Sequence, residues 1–482
     1  LGTKSKNPKK SGIDRGIVVI EPLEEQNRIS EMRKSGLNIM MSMKSDAKPV
    51  SFVEDCAVPL PHLADYTQGL TDIFKKYGTH GTWYAHASVG CLHVRPVLNM
   101  KNGSDVTKMR AIALEAFELV KKFSGSHSGE HGDGISRSEF NPVMFGEKLN
   151  TAFIKLKKIL DPSDLFNPGK IVNAPKMDAR DLFRYAPGYK ASDFPTTLDW
   201  KGWPGAAGGL QGAVEMCNNN GACRKLVGGV MCPSFRITRD EKDSTRGRAN
   251  ILRLAMSGQL GPDAMISDKM KESLKLCVSC KACKRECPTG VNVSSMKIEI
   301  NALWAAKHSL SLHDRLIAYL PNYASVVAKV PWVMNLRDRI PGLPFISEKI
   351  TGFSSRRRLP IWRSDYFKSS EINSEPKGKL PVILFGDTFN RYFEPENLRS
   401  AVNVLKAAGY TPFAPIPKSN KKSEICCGKT HLSVGNVGSA RVNAKQLVET
   451  YFPYASAGIP IVGLEPSCLF TIKDEIPMLL KS

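Results

Sequence analysis

Cysteine spacing carries the clearest chemistry in this sequence of 482 residues. The run Cys277-x2-Cys280-x2-Cys283-x3-Cys287-Pro288 winds a short loop through four thiols. With that spacing three thiolates bind one iron–sulfur cube, and the cysteine before proline passes to a neighbouring cluster. Zinc also accepts four thiolates, but its sites usually bring them as two separated pairs, so iron–sulfur is favoured. The earlier run Cys217…Cys223…Cys232-Pro233 holds its own cysteine–proline pair. One [4Fe–4S] cluster is therefore assigned to Cys232, Cys277, Cys280 and Cys283. The earlier run has Asn220 where a further cysteine belongs, so a second centre on Cys217, Cys223 and Cys287 is one thiolate short. A [3Fe–4S] centre, a [4Fe–4S] centre with a foreign ligand and no centre at all remain alternatives there.

A second constellation lies nearer the start. His86 and His93 flank a turn at Ala87–Gly90, and Glu130-His131 follows in Ser128-Gly-Glu-His-Gly-Asp-Gly134. If the turn reverses the chain, both imidazoles face its mouth. Two imidazoles and a carboxylate suit Zn²⁺ or Mn²⁺ with open positions. Ordinary hydrogen-bonded turn histidines are the alternative reading.

The elements that must position these groups follow from periodicity. Residues 14–22 and 48–58 read as strands, and Gly81–Ala87 and Cys91–Leu98 as β runs broken at Gly90. Helical period covers 24–35, 63–77 and 106–124. The alternation predicts an α+β domain over residues 1–176, then a Pro/Gly-rich linker, 177–212. Residues 213–305 are expected to form an all-α, ferredoxin-like iron–sulfur domain and 306–378 a helical connector. There Leu316, Leu320, Val326, Val330 and Val333 form an apolar face expected to be core or interdomain contact, with a membrane-surface role as the weaker reading. From Pro381 a new α/β unit, 379–482, begins.

Three resemblances add to this. Cys426-Cys427-Gly428 with Pro466-Ser467-Cys468 resembles the cysteine-rich CCG domain of heterodisulfide-reductase-like proteins. Asp387-Thr388 and Thr471 stand where that pattern has further cysteines, so an incomplete unit kept for docking or packing is expected. The His86–His93 and Glu130–His131 segments, with Asp161-Pro162 and Asn167-Pro168-Gly169-Lys170, resemble the C-terminal (substrate/cap) domain of FAD-linked 2-hydroxyacid oxidoreductases of the vanillyl-alcohol-oxidase type. The junction to a cluster domain carrying Asp243-Ser-Thr-Arg246-Gly-Arg248 is similar to large bacterial FAD and iron–sulfur D-2-hydroxyglutarate dehydrogenases, along nearly the whole chain.

The resemblance implies His86, His93 and Glu130 as metal ligands and His131 as the base that takes the hydroxyl proton. It places Arg33 at a substrate-binding position. The family's lysine before Asp55 is replaced by Val53, so Lys44, Lys48 or Arg137 is expected to serve instead. Asn167 and Lys170 are expected at the edge of FAD. No G-x-G-x-x-G opens a helix, and the family holds FAD chiefly on a domain preceding this register, so the chain is expected to be an incomplete fragment. Purified alone, it should lack stoichiometric flavin.

A flavin yields two electrons and a cluster takes one at a time, which favours a quinone, ferredoxin or cytochrome as acceptor. D-2-hydroxyglutarate is the expected substrate, with D-lactate or glycolate behind it. An electron-transfer or docking subunit without catalysis is the rival from another class, and a metal-dependent hydrolase leaves the cysteine runs unexplained.

Lys and Arg exceed Asp and Glu, 68 to 46, for a formal charge of +22. They are spread along the chain with short runs at Lys9-Lys10, Arg356–Arg358 and Lys421-Lys422, and no aromatic-interleaved basic motif points to nucleic acid. Peripheral contact with an anionic membrane, or an acidic redox partner, is the better reading. Free thiols suit a reducing compartment, so cytoplasm is expected, with no spanning segment.

Overall fold

The computed structural model describes residues 19–190, 195–203, 208–378, 380–417 and 424–481. Lys9-Lys10, Lys421-Lys422 and the first part of the expected strand 14–22 lie outside them; residues 19–22 form no strand. The chain divides into two units, 1–189 and 190–482.

In the first unit, helix α1 (Leu23–Met41) buries no residue. Strands β1 (Lys48–Pro49) and β2 (Cys56–Ala57) both pair antiparallel with β4 (Cys91–Leu98), which pairs on its other side with β3 (Gly81–His86). The expected single strand over 48–58 is thus two short ones. Asp55 between them has φ +58°, which turns the chain. Helix α2 (Leu63–Lys76) buries Tyr66, Leu70 and Phe74 at i, i+4 spacing. Helix α3 (Gly103–Lys122) opposes it with Ile112, Ala113, Ala116 and Val120, and Asn102 caps its start by accepting from the Ser104 amide. The two stripes close the core over β4.

Gly90 lets the sheet close. It has φ +70°, and a Cβ there would stand 1.9 Å from the Val58 carbonyl oxygen. Only glycine lets β2 approach the β3–β4 turn so closely.

From Lys190 onward one core draws on the expected linker, the iron–sulfur stretch and the last α/β stretch. Leu198, Trp200 and Leu210 of the expected linker share it with Cys283, Ile300, Phe385, Cys427 and Ile476. Buried Glu299 secures that linker, accepting from the Thr197 amide at 2.8 Å, the Leu198 amide at 2.9 Å and Trp200 Nε1 at 2.7 Å. The iron–sulfur stretch is helical between its loops, and the last stretch holds a parallel sheet, β6 (Thr411–Phe413), β5 (Pro381–Phe385), β7 (Ile461–Gly463) in spatial order. The architecture is mixed helix and sheet, mostly helical.

The apolar face of the connector does not go into a core as a whole. Leu320 packs on Ala324, Ala328, Trp362 and Tyr392, but Val326, Val330 and Val333 are exposed. No described helix is long and apolar enough to cross a membrane.

Candidate functional site

Each unit holds one constellation. In the first, strand register does the assembly. Tyr84 pairs with His93 and His86 with Cys91 across β3 and β4, so Tyr84, His86 and His93 share a face of the sheet. The loop 127–134 then brings Glu130 and His131 onto it. Glu130 Oε1 lies 2.9 Å from His93 Nε2, 3.5 Å from His86 Nε2 and 3.6 Å from His131 Nε2. The ligand atoms of His86, His93 and Glu130 all fall within 4.8 Å of one another. His93 is buried, whereas His86, Glu130 and His131 are each about half exposed, so the group opens outward.

The His93 ring is sandwiched. Tyr84 stacks on it at 4.5 Å and 22°, His131 at 5.0 Å and 25°. Burial holds the imidazole below its usual pKa, against the pull of Glu54 and Glu130. The ring is therefore disposed to stay neutral, the form in which an imidazole ligates a metal. The donor set and its convergence fit one divalent ion with open positions.

Two carboxylates missed by sequence reasoning support this face. Glu54 Oε1 stands 3.5 Å from His93 Nδ1, while its carboxylate is gripped by Arg95, at 2.8 Å through Nε and again through Nη2. Asp55 accepts from the backbone amides of Glu130 at 2.9 Å and His131 at 2.7 Å, and pairs with Arg137. Burial disfavours the Asp55 anion, but the His131 and Glu130 amides and the Arg137 guanidinium outweigh it and hold its carboxyl below the ordinary range. Neither pair is visible in local spacing, because only the β2–β4 pairing brings residues 54–55 beside 93–95 and the 127–134 loop.

The expected substrate cations fare differently. Arg137 is buried and its guanidinium is committed to Asp55, the Glu54 carbonyl, the His127 carbonyl at 3.0 Å and the Gly132 carbonyl at 2.5 Å. In this structure it braces the loop. Arg33 is exposed on α1 and Lys44 is exposed just after it, while Lys48 donates to the Met43 carbonyl. None of these three has a bond to the histidine cluster among those described. Asn167 (φ +51°) and Lys170 sit exposed on a turn, joined Nζ to Oδ1 at 3.4 Å. Asp161 shapes that turn by accepting from the Leu165 and Phe166 amides at 2.9 and 2.8 Å.

In the second unit Cys232, Cys277, Cys280 and Cys283 line a common hollow with Thr245, Lys281 and Ser294. Ser279 and Lys281 have positive φ (+55° and +60°) and wind the loop around it.

Backbone amides serve these sulfurs. The start of helix Thr245–Met256 presents its Thr245 N–H to Cys232 Sγ at 3.0 Å and its Arg246 N–H to Cys223 Sγ at 3.4 Å. The Cys283 thiol is pushed up to about 11 by burial, against the Val293 and Ser294 amides that favour its thiolate. Buried Arg248 braces the floor through the Ser273 carbonyl at 3.1 Å, Asp243 at 3.3 Å and Ser234 Oγ at 3.1 Å. Cys223 shares a hydrogen bond with Cys232 of the same run, and Cys232 in turn lines the hollow with the second run. Cys217 Sγ faces Asn219 Oδ1 at 3.7 Å and Cys287 Sγ faces Thr289 Oγ1 at 3.4 Å. Cys427 meets both Cys426 and Cys468.

Residues 6–171 match the family model of FAD linked oxidases, C-terminal domain, and residues 213–291 that of a 4Fe-4S dicluster domain. The chain is similar to D-2-hydroxyglutarate dehydrogenase of Pantoea ananatis, 27% identical over 96% of this chain and 48% of that protein. The same name is carried by similar proteins of Escherichia coli (27% identity, 96% of this chain, 49% of that protein) and Pseudomonas putida (28%, 95% and 48%). The chain spans about half the length of these curated relatives.

Proposed function

We propose, from the FAD-linked oxidase C-terminal domain and 4Fe-4S dicluster domain that this chain joins, that it belongs to a flavin-dependent D-2-hydroxyacid dehydrogenase. D-2-hydroxyglutarate is the first substrate and 2-oxoglutarate its product. The observation that carries the reading is the convergence of His86, His93 and Glu130 beside a third imidazole, the half-exposed His131.

In this reading His86, His93 and Glu130 hold a divalent metal, Zn²⁺ or Mn²⁺. Bound there, the metal supplies a Lewis acid for the substrate hydroxyl, and FAD supplies a two-electron acceptor. His131 takes the hydroxyl proton; Asp55, by accepting from the amides of residues 130 and 131, fixes both the ligand and the base. Tyr84 covers one face of His93 and keeps water from it. Arg33 and Lys44 remain the candidates for the substrate carboxylates, and Asn167 and Lys170 for the cofactor's edge. Cys232, Cys277, Cys280 and Cys283 would hold a [4Fe–4S] cluster, with Cys217, Cys223 and Cys287 as the thiols of a second centre; such a cluster would supply one-electron transfer toward a quinone, ferredoxin or cytochrome-type acceptor.

The test uses the full-length protein, metal-loaded and anaerobic. D-2-hydroxyglutarate should bleach the flavin and then raise a reduced-cluster EPR signal, faster than D-lactate or glycolate. A flavin that stays oxidised with all three acids overturns the reading.

Glu54 gives a milder, separable prediction. Metal-bound imidazoles are oriented by a carboxylate on their other nitrogen, and loss of such a partner costs about 10–100-fold in metal affinity. Glu54→Gln should weaken Zn²⁺ binding by about that factor in a chelator competition assay, while the cluster absorbance is unchanged.

A further inference from the structure

We infer that the helical segment spanning residues 326–358 seats this protein on an anionic membrane surface. It carries two features that a water-facing surface does not normally combine. Trp332, Val333, Met334, Phe345, Ile346 and Ile350 are all exposed, Trp332 by 62% and Ile350 by 63%. Exposed apolar side chains are ordinary when single, but a concentration on neighbouring helices marks a binding surface. The same stretch exposes Lys329, Arg339, Lys349 and the run Arg356-Arg357-Arg358.

Its two acids are turned inward. Asp338 accepts from Arg337 at 2.5 Å and from the Leu359 amide at 2.8 Å, and Glu348 accepts from the Ser355 amide at 3.0 Å. The outward charge of the segment is therefore positive throughout.

Buried Arg337 makes the face one piece. Its guanidinium bonds Ser347 Oγ at 3.1 Å, the Phe353 carbonyl at 3.2 Å and the Ser354 carbonyl at 2.8 Å. The helix Pro331–Asn335, the helix Leu343–Thr351 and the arginine run are thus tied to a single turn, Leu336–Asp338. Within the second helix Ile346 and Ile350 stand one turn apart, as do Phe345 and Lys349. The Lys349 ammonium lies 4.7 Å from the centre of the Phe345 ring. A lysine stem laid along an aromatic with its charge at the tip is how an interfacial helix keeps its cation at the headgroups.

Charge decides the occupant. Lys and Arg near an anionic bilayer each contribute attraction, while Trp and aliphatic side chains enter the headgroup boundary. A second copy docked through the same face by two-fold symmetry would bring like charges together. The net charge of +22 acts in the same direction. No described helix is both long and apolar enough to cross, so the proposed contact is with the membrane surface.

The cluster-loaded chain is sedimented with vesicles of phosphatidylcholine alone and of phosphatidylcholine with about 30% phosphatidylglycerol. Binding should require the anionic lipid and weaken as salt rises. The combined variant Trp332→Ser, Phe345→Ser, Ile350→Ser and the combined variant Arg356→Glu, Arg357→Glu, Arg358→Glu should each cut binding by about tenfold or more. Both sets of side chains are exposed, so melting temperatures and cluster spectra should stay unchanged. Absence of binding to anionic vesicles, or binding indifferent to both variants, overturns the proposal. So does a concentration-dependent dimer that the apolar variant abolishes, which would assign the face to a second copy.

Discussion

His131→Asn in the full-length protein should lower substrate-driven flavin reduction by about 10²–10⁴-fold, the usual contribution of a positioned general base. Asparagine is close in size to the imidazole near its backbone but takes up no proton. The loop should keep its shape, because Asp55 holds it through the backbone amide of residue 131 and not through the ring. Metal content should also persist, since His86, His93 and Glu130 form a complete trio without His131. Anaerobic stopped-flow of the flavin band, with zinc and manganese analysis on the same sample, separates lost base from lost metal. An unchanged rate would favour an electron-transfer subunit in which this histidine is only packing.

The second large effect is expected at Cys232. Although it lies far from the loop in sequence, it lines the same hollow as Cys277, Cys280 and Cys283 and takes the Thr245 amide on its sulfur. Cys232→Ala should remove the brown absorbance and the EPR signal of the reduced cluster after anaerobic reconstitution, with loss of labile sulfide. Cys287→Ala should leave that signal in place, because Cys287 does not line the hollow. The protein should also become easier to unfold, since a group bound only by the folded state stabilises it. If Cys287→Ala proved the more damaging change, the ligand assignment of the two runs would have to be exchanged.

The two effects are independent. Flavin reduction by substrate should survive in the Cys232 variant, and chemical reduction of the cluster should survive in the His131 variant. Together they divide the proposed electron path at its midpoint.

The sequence by itself determined the chemistry that is local. The spacing of Cys277, Cys280 and Cys283 dictates a loop around one hollow, because a short segment with left-handed turns at Ser279 and Lys281 has few other ways to face three sulfurs inward. His86 and His93 were readable for the same reason: one glycine turn and an antiparallel register place them on one sheet face. Helices α2 and α3 were legible from apolar period alone.

The tertiary structure decided what depends on partners remote in the chain. Glu54 and Asp55 became supports only when β2 paired with β4, and the same contact made Arg137 a buried brace. Likewise, the apolar positions after residue 316 could not be divided from sequence into those that pack on Trp362 and Tyr392 and those left facing solvent. Periodicity reports that a face is apolar, whereas what covers it is set by long-range packing. A charged side chain likewise carries no local mark of whether it meets a substrate or another residue of its own fold.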